Sequence, residues 1–203
     1  MLFYEPGRRD RSILGHEPFK ALVAPRPLGW ISSRACSGAV YLAPYSFFNA
    51  ICDAPPMLAF SSVGRKDSAT FAAESGEFVW NLVTEELAAA MNETSAALAR
   101  GDSEFARAGL ELAPSRLVAA PRVAAARCAM ECRVTEAREL HDIDGRPTDH
   151  HLVIGQVIGI HVDEQAIVSG AVDTARLRPL ARLGGTGDYA VVTSVQRMER
   201  PTD

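Results

Sequence analysis

The 203 residues are 47% hydrophobic and 23% charged, a composition that suits one globular domain, or at most two small ones, with a core that holds without disulfides or a structural metal. A net charge of −4 and a pI of about 5.8 exclude the broad basic footprint of a general nucleic-acid binder. No apolar run approaches the ~20 residues that cross a bilayer, no apolar stretch follows the charged segment MLFYEPGRRDRSILG as in a secretory signal, and the length leaves no room for a full dinucleotide domain beside a separate catalytic one. The expectation is a cytoplasmic chain with no membrane and no nucleic-acid partner.

In chain order, the pattern predicts a strand over 28–33 that ends in two hydroxyls, a turn at Ser37-Gly38, and a strand over 39–43 leading into a rigid Pro-aromatic loop. A strand over 57–62 precedes a helix over 67–74, which opens on Asp67-Ser68 and stops at Gly76. The next strand, 78–83, places Phe78, Trp80 and Leu82 on one face. Ala, Leu and Glu predict a helix over 85–99 ending at Gly101, and a shorter one over 102–108 ending at Gly109.

The strand predicted over 128–138 alternates Cys128, Met130, Cys132 and Val134 with Ala129, Glu131, Arg133 and Thr135, which predicts one apolar face. Positions four apart on a strand lie about 13 Å apart, too far for a disulfide, so Cys128 and Cys132 read as buried thiols. Cys36 and Cys52 are read the same way, as passive packing residues of a reducing compartment. The run 151–162 is apolar on both faces and predicts a central strand, with Gly155 and Gly159 at bends or close backbone approaches. Many strands and few helices predict a mainly β fold, a barrel or sandwich with peripheral helices.

Several motifs fail. Gly64-Arg65-Lys66-Asp67-Ser68 lacks the spacing of a phosphate-binding P-loop, and Gly184-Gly185-Thr186-Gly187 lacks that of a dinucleotide fingerprint. His141, Asp142, Asp144, Asp149, His150 and His151 crowd one segment and offer metal-ligand chemistry, but Asp144-Gly145 is a turn dipeptide and the cluster also reads as a solvated hairpin.

Two segments carry chemistry. Residues 24–33 and 41–49 bring Ser32, Ser33 and Ser46 beside aromatic and proline surface, which suits a flat aromatic ligand with a polar rim and equally suits core aromatics at a turn. Residues 60–68 place Ser61, Ser62, Arg65, Lys66, Asp67 and Ser68 between a strand and a helix start. Hydroxyl donors, cations and a helix N-terminus are what a phosphate needs, although a capped surface helix has the same composition. Together the two segments suggest a phosphorylated aromatic cofactor.

At this point the sequence resembles the flavin reductase-like, FMN-binding split-barrel proteins, close to the flavoredoxin branch. The matching motifs are PRPLGWISS (25–33), APYSFFNA (43–50), DAPPMLAFSS (53–62), KDS (66–68), GEFVWNL (76–82), SEFARAGLEL (103–112), PRV (121–123), MEC (130–132), LVIGQVIGIHV (152–162) and PLARLGGTGDY (179–189), in family order. The resemblance implies one split β-barrel domain over residues 1–203 that forms a homodimer with FMN at the interface. It implies that Ser32, Ser33, Ala43, Pro44, Tyr45, Ser46, Phe47, Asn49, Ser61 and Ser62 border the flavin. It also implies that Arg65, Lys66, Asp67 and Ser68 lie on the phosphate side, with Ser68 in place of the usual Thr. Arg182 and Gly184–Gly185 match a C-terminal signature, and Tyr41 stands where many relatives carry Asn. The implied activity is NAD(P)H-dependent flavin reduction, with electrons passing to free flavin, a partner oxygenase or a small acceptor. No catalytic acid or base is identifiable, in keeping with hydride chemistry carried by the cofactor. The alternatives are an FMN-binding electron carrier without its own nicotinamide oxidase activity, and a barrel that binds a metal through the 141–151 segment.

Overall fold

The computed structural model describes residues 1–64, 67–98 and 102–201. Arg65, Lys66 and the end of the helix expected over 85–99 lie outside the described residues. The strands are β1 (Arg26–Pro27), β2 (Gly29–Arg34), β3 (Val40–Tyr45), β4 (Phe48–Asp53), β5 (Pro56–Val63), β6 (Glu77–Asn81), β7 (Leu112–Ala113), β8 (Arg122–Val123), β9 (Cys128–His141), β10 (Pro147–Val162), β11 (Ile167–Val168), β12 (Ala171–Val172), β13 (Leu180–Arg182) and β14 (Tyr189–Val191). The α-helices are α1 (Phe19–Leu22), α2 (Asp67–Ser75), α3 (Ala88–Glu93), α4 (Glu104–Arg107) and α5 (Thr174–Leu177). None of these helices is long and apolar enough to cross a membrane.

A seven-stranded antiparallel sheet in the order β3-β2-β6-β9-β10-β5-β4 forms the body. Gly38, at φ +90°, turns β2 into β3, a conformation open to glycine at no steric cost. Asp142 shapes the β9–β10 hairpin by accepting the amides of Asp144 at 2.9 Å and Arg146 at 2.8 Å, and Gly145 adopts φ +80°. The sheet curls: Tyr45 at the end of β3 packs on Phe60 of β5, ring centroids 4.8 Å apart. That contact across the sheet is the closure of a split barrel.

The barrel interior holds Ile31, Tyr45, Phe48, Phe60, Phe78 and Val153, with Ala69 and Ala72 of α2 packed against them. A second apolar cluster, containing Trp30, Leu42, Met91 and Phe105, fills the space beneath α3 and α4. Because β2 is covered on both faces, its run Gly29–Ser33 is wholly buried, serines included.

Several expectations are corrected. Residues 48–53, read as loop, form edge strand β4, where only Phe48 is buried and no alternation exists to be read. The helix expected over 85–99 is a 3-10 turn over Glu85–Leu87 followed by the short α3. Strand β10 is interior in the sheet order, but one of its faces is partly open, with Ile160 59% exposed. Strand β9 has no polar face at its start: Glu131 is 0% exposed. Cys128 and Cys132 are free, buried thiols, whereas Cys36 and Cys52 are exposed rather than packing residues. Burial first, and then the Glu131 charge, push the Cys132 thiol up to about 12.

Gly155 and Gly159 both stand at register shifts between β9 and β10. A Cβ on Gly155 would lie 2.4 Å from Phe78 Cε1 and 3.2 Å from Cys132 Cβ. Gly155→Ala should therefore lose about 1–3 kcal/mol of stability, as overpacked cores do. Urea unfolding of the variant beside wild type checks this, and an unchanged midpoint would refute the close approach.

Candidate functional site

Two clefts meet the predicted residues. The first, about 650 Å³, opens between residues 22–27 on one side and the β3–β4 turn with β5 on the other, and Leu152 of β10 contributes to it. Ser46, Phe47, Asn49 and Ser61 of the predicted set line it. Its walls are largely proline, alanine and aromatic surface, and Ser61 Oγ is buried there with no hydrogen-bond partner among the described residues. Phe47 is half-buried at the rim, with Lys20 Nζ 5.8 Å from its ring centroid and the His150 ring edge-on at 6.1 Å.

Arg26 builds the opposite wall. Its guanidinium donates through Nη1 to Lys20 O and Val23 O, and through Nη2 to Leu183 O at 2.9 Å. It thereby fixes α1 and the 22–25 segment against the C-terminal strands, where β1 pairs with β13 and β13 with β14. The C-terminal signature serves the same purpose. Arg182 donates to Tyr189 Oη at 2.6 Å and to Thr186 O at 2.7 Å, and a Cβ on Gly184 would sit 2.5 Å from Ala21 Cβ. Glycine is needed there because α1 rests directly on the turn.

The second cleft, about 340 Å³, takes Ala43, Pro44, Tyr45, Asp67 and Ser68 together with Thr94–Leu98 and Glu104. Burial raises the Tyr45 phenol above its usual value, and burial likewise raises the Glu104 carboxyl, which accepts the Leu42 N–H at 3.3 Å. Among the described residues its charged groups are Asp67 and Glu104.

The predicted residues thus divide. Tyr45 and Ser68 are buried, their hydroxyls 2.7 Å apart, so neither hydroxyl faces an open phosphate position. Ser32 is fully buried: it donates to Pro121 O at 2.5 Å and accepts from Asn81 Nδ2 at 3.1 Å. Ser33 is fully buried too. These two lie inside the sheet, not at a ligand surface, because β2 is covered on both faces. Ser62 is buried and donates to Gly64 O at 3.3 Å, holding the turn that leads to α2. Tyr41 stacks on Phe71 of α2 with centroids 4.6 Å apart and belongs to the packing between sheet and helix.

Sequence reading missed Arg26 and Lys20, and took His150 only as a candidate metal ligand. Arg26 stood within the quoted PRPLGWISS motif, whose serines drew the attention, while the register His150↔Val63 was not readable before the strands were paired. Among the described residues no three His, Cys, Asp or Glu side chains converge as metal ligands, and in the 141–151 segment Asp142 and Asp144 are engaged with the hairpin and Arg146.

Residues 22–177 match the family described as Flavin reductase like domain. The chain is also similar to nitrilotriacetate monooxygenase component B from Bacillus cereus: 32% identity, 98% of each chain covered, TM-score 0.87. Its similarity to the 2-nitrobenzoate 2-nitroreductase NbaA of Pseudomonas fluorescens is 26% identity, covering 100% of this chain and 97% of that one, with TM-score 0.84. The flavoredoxin of Desulfovibrio vulgaris (Miyazaki F), at 19% identity and TM-score 0.79 over 91% of this chain and 94% of that one, shares the fold. A split barrel with an apolar, hydroxyl-edged cleft and a family match over most of its length define a flavin reductase-like protein. The chain belongs to that family.

Proposed function

We propose that this chain is a single-domain flavoprotein of the cytoplasm, over residues 1–203, that binds FMN non-covalently and uses NADH or NADPH to reduce flavin. The observation that carries the reading is the first cleft: apolar walls of a size for a ring system, with Ser61 in its lining and the buried Ser61 hydroxyl without a partner among the described residues. When bound, FMN supplies the electron acceptor for a hydride from the nicotinamide. The chain's own residues hold and orient the ring: Ser61 donates to or accepts from its rim, Ser46 and Asn49 offer further polar groups, and the 22–27 wall keeps water from one side.

Lys66 and Arg65 are proposed to balance the phosphate beyond Gly64. A homodimer with FMN at the interface is supported by the apolar side chains left open near the cleft, Leu22, Val23 and Val63. Transfer onward to a partner oxygenase is supported by the likeness to a monooxygenase component B; free flavin or a small acceptor are the other destinations. The alternative is an electron carrier without nicotinamide oxidase activity.

Anaerobic titration of the FMN-loaded protein with NADH and with NADPH tests the proposal. Bleaching of the flavin absorbance by either donor is expected, binding without bleaching would favour the carrier, and failure to bind FMN would overturn both. Lys66→Ala should weaken FMN about tenfold or more, the value of a charge-assisted hydrogen bond, and riboflavin much less. Equal losses in fluorescence titrations would remove Lys66 from the phosphate role.

A further inference from the structure

A third cleft, of about 720 Å³, lies at the far end of β10, where Gly159–Asp163 face the loops carrying Arg116 and Arg122. From Leu152 in the first cleft to His161 in this one is nine positions of strand, about 30 Å. Whatever enters here is therefore remote from a ring held beside Ser61 on the same chain, and the inference does not rest on the proposed flavin chemistry.

The cleft is cationic by construction. Its two carboxylates are already engaged. Glu131, 0% exposed, accepts the N–H groups of Arg116 at 2.8 Å, Leu117 at 2.6 Å and Val118 at 3.2 Å, and His161 Nε2 at 2.5 Å. Asp163 accepts Arg127 Nε at 2.6 Å and Gln165 N–H at 2.9 Å. By contrast, among the described residues Arg116 makes no side-chain hydrogen bond or ion pair, and Arg122 makes only Nε to Pro114 O at 3.3 Å. Its terminal nitrogens are left to the cleft. His161 lines the same space with its Nε2 anchored to Glu131, which leaves Nδ1 as the ring's remaining polar atom. Beside these groups stand exposed apolar side chains, Leu117 and Ile160.

Two guanidinium forks carry more N–H groups than one carboxylate can use, and they match the several oxygens of a phosphate. We infer that the cleft between the 116–118 loop with β8 and the end of β10 is a second binding site, for a phosphate group, with Arg116 and Arg122 as its donors. The apolar rim fits the organic part of a phosphomonoester.

The test is calorimetric titration of the full chain loaded with one equivalent of FMN, enough to fill the first cleft without free FMN, itself a phosphomonoester, competing at the second. Phenyl phosphate, inorganic phosphate and benzoate are the probes. Phenyl phosphate should bind, and the Arg116→Gln/Arg122→Gln double variant should bind it about tenfold or more weakly, with FMN affinity unchanged. Arg122→Lys should fall between. Ala125→Glu, which leaves both arginines and sets a carboxylate at an exposed wall position, should abolish binding by repulsion and guards against a fold defect in the double variant. Inorganic phosphate binding as tightly as phenyl phosphate would support the site and identify free phosphate as its ligand. No binding of either phosphate, binding untouched by all the variants, or tighter binding of benzoate would overturn it.

Discussion

Glu131→Ala should be among the most damaging single substitutions in the chain, removing about 3–5 kcal/mol of stability, as the loss of one partner from a buried polar network does. It strands three backbone N–H groups of the 116–118 loop and leaves His161 without its anchor. At ~2–4 °C per kcal/mol for a chain of this size, the melting temperature should drop roughly 6–20 °C. Glu131→Gln should recover only part of this, because its amide NH₂ turns a donor toward donors.

The acid response separates this role from simple packing. Burial acts to raise the Glu131 pKa, but the N–H groups of Arg116 and Leu117 and the His161 contact outweigh it and hold the carboxyl below its ordinary value of 4.5. A depressed folded pKa means the stabilisation is complete above the unfolded value and is lost as pH falls through the folded one. Urea midpoints followed from about pH 7 to about pH 3 should fall less steeply in Glu131→Ala than in wild type. Parallel curves would show that the carboxylate charge contributes nothing.

Arg26→Ala should combine a stability loss on the order of 3 kcal/mol with loss of the cleft. Arg26 is 7% exposed, and its three carbonyl contacts join α1, the 22–25 segment and Leu183. Without them one wall of the first cleft loses its position, and the FMN binding proposed there should weaken about tenfold or more as preorganisation is lost. Fluorescence titration alongside thermal unfolding measures both. Arg26→Lys should restore part of the stability and little of the affinity, since an ammonium cannot span three carbonyls as a fork does. Unchanged affinity in a folded Arg26→Ala would remove the wall from ligand binding.

Much of the barrel was readable because its interior strands carry period-2 patterns or unbroken apolar runs: 28–33, 57–62 and 78–83 each correspond to a strand within a residue or two, and 151–162 ends with its strand, which starts four residues earlier at Pro147. What escaped depended on distant partners. Glu131 reads as a solvent-facing acid until a loop more than a dozen residues upstream delivers its amides. Phe48–Asp53 has no pattern because an edge strand with one buried residue needs none. Ser32 and Ser33 read as ligand groups because sequence cannot say that β2 is covered from both sides. Of the predicted residues, Ser46, Phe47, Asn49 and Ser61 share one cleft, and they belong to motifs at the β3–β4 turn and the end of β5.

The wall around Arg26 has a consequence for the order in which the molecule comes into being. Its first half is made early, at residues 19–27, but its fastenings, Leu183 O and the β13–β14 pair, follow every strand of the seven-stranded sheet. During synthesis the barrel strands are all available before that wall can be set, so the first cleft is finished only once residues 180–191 have emerged. A fragment stopped at Leu177 would contain the whole stretch matched to the family and every barrel strand, yet would lack the brace. Such a fragment should hold its sheet and bind flavin poorly.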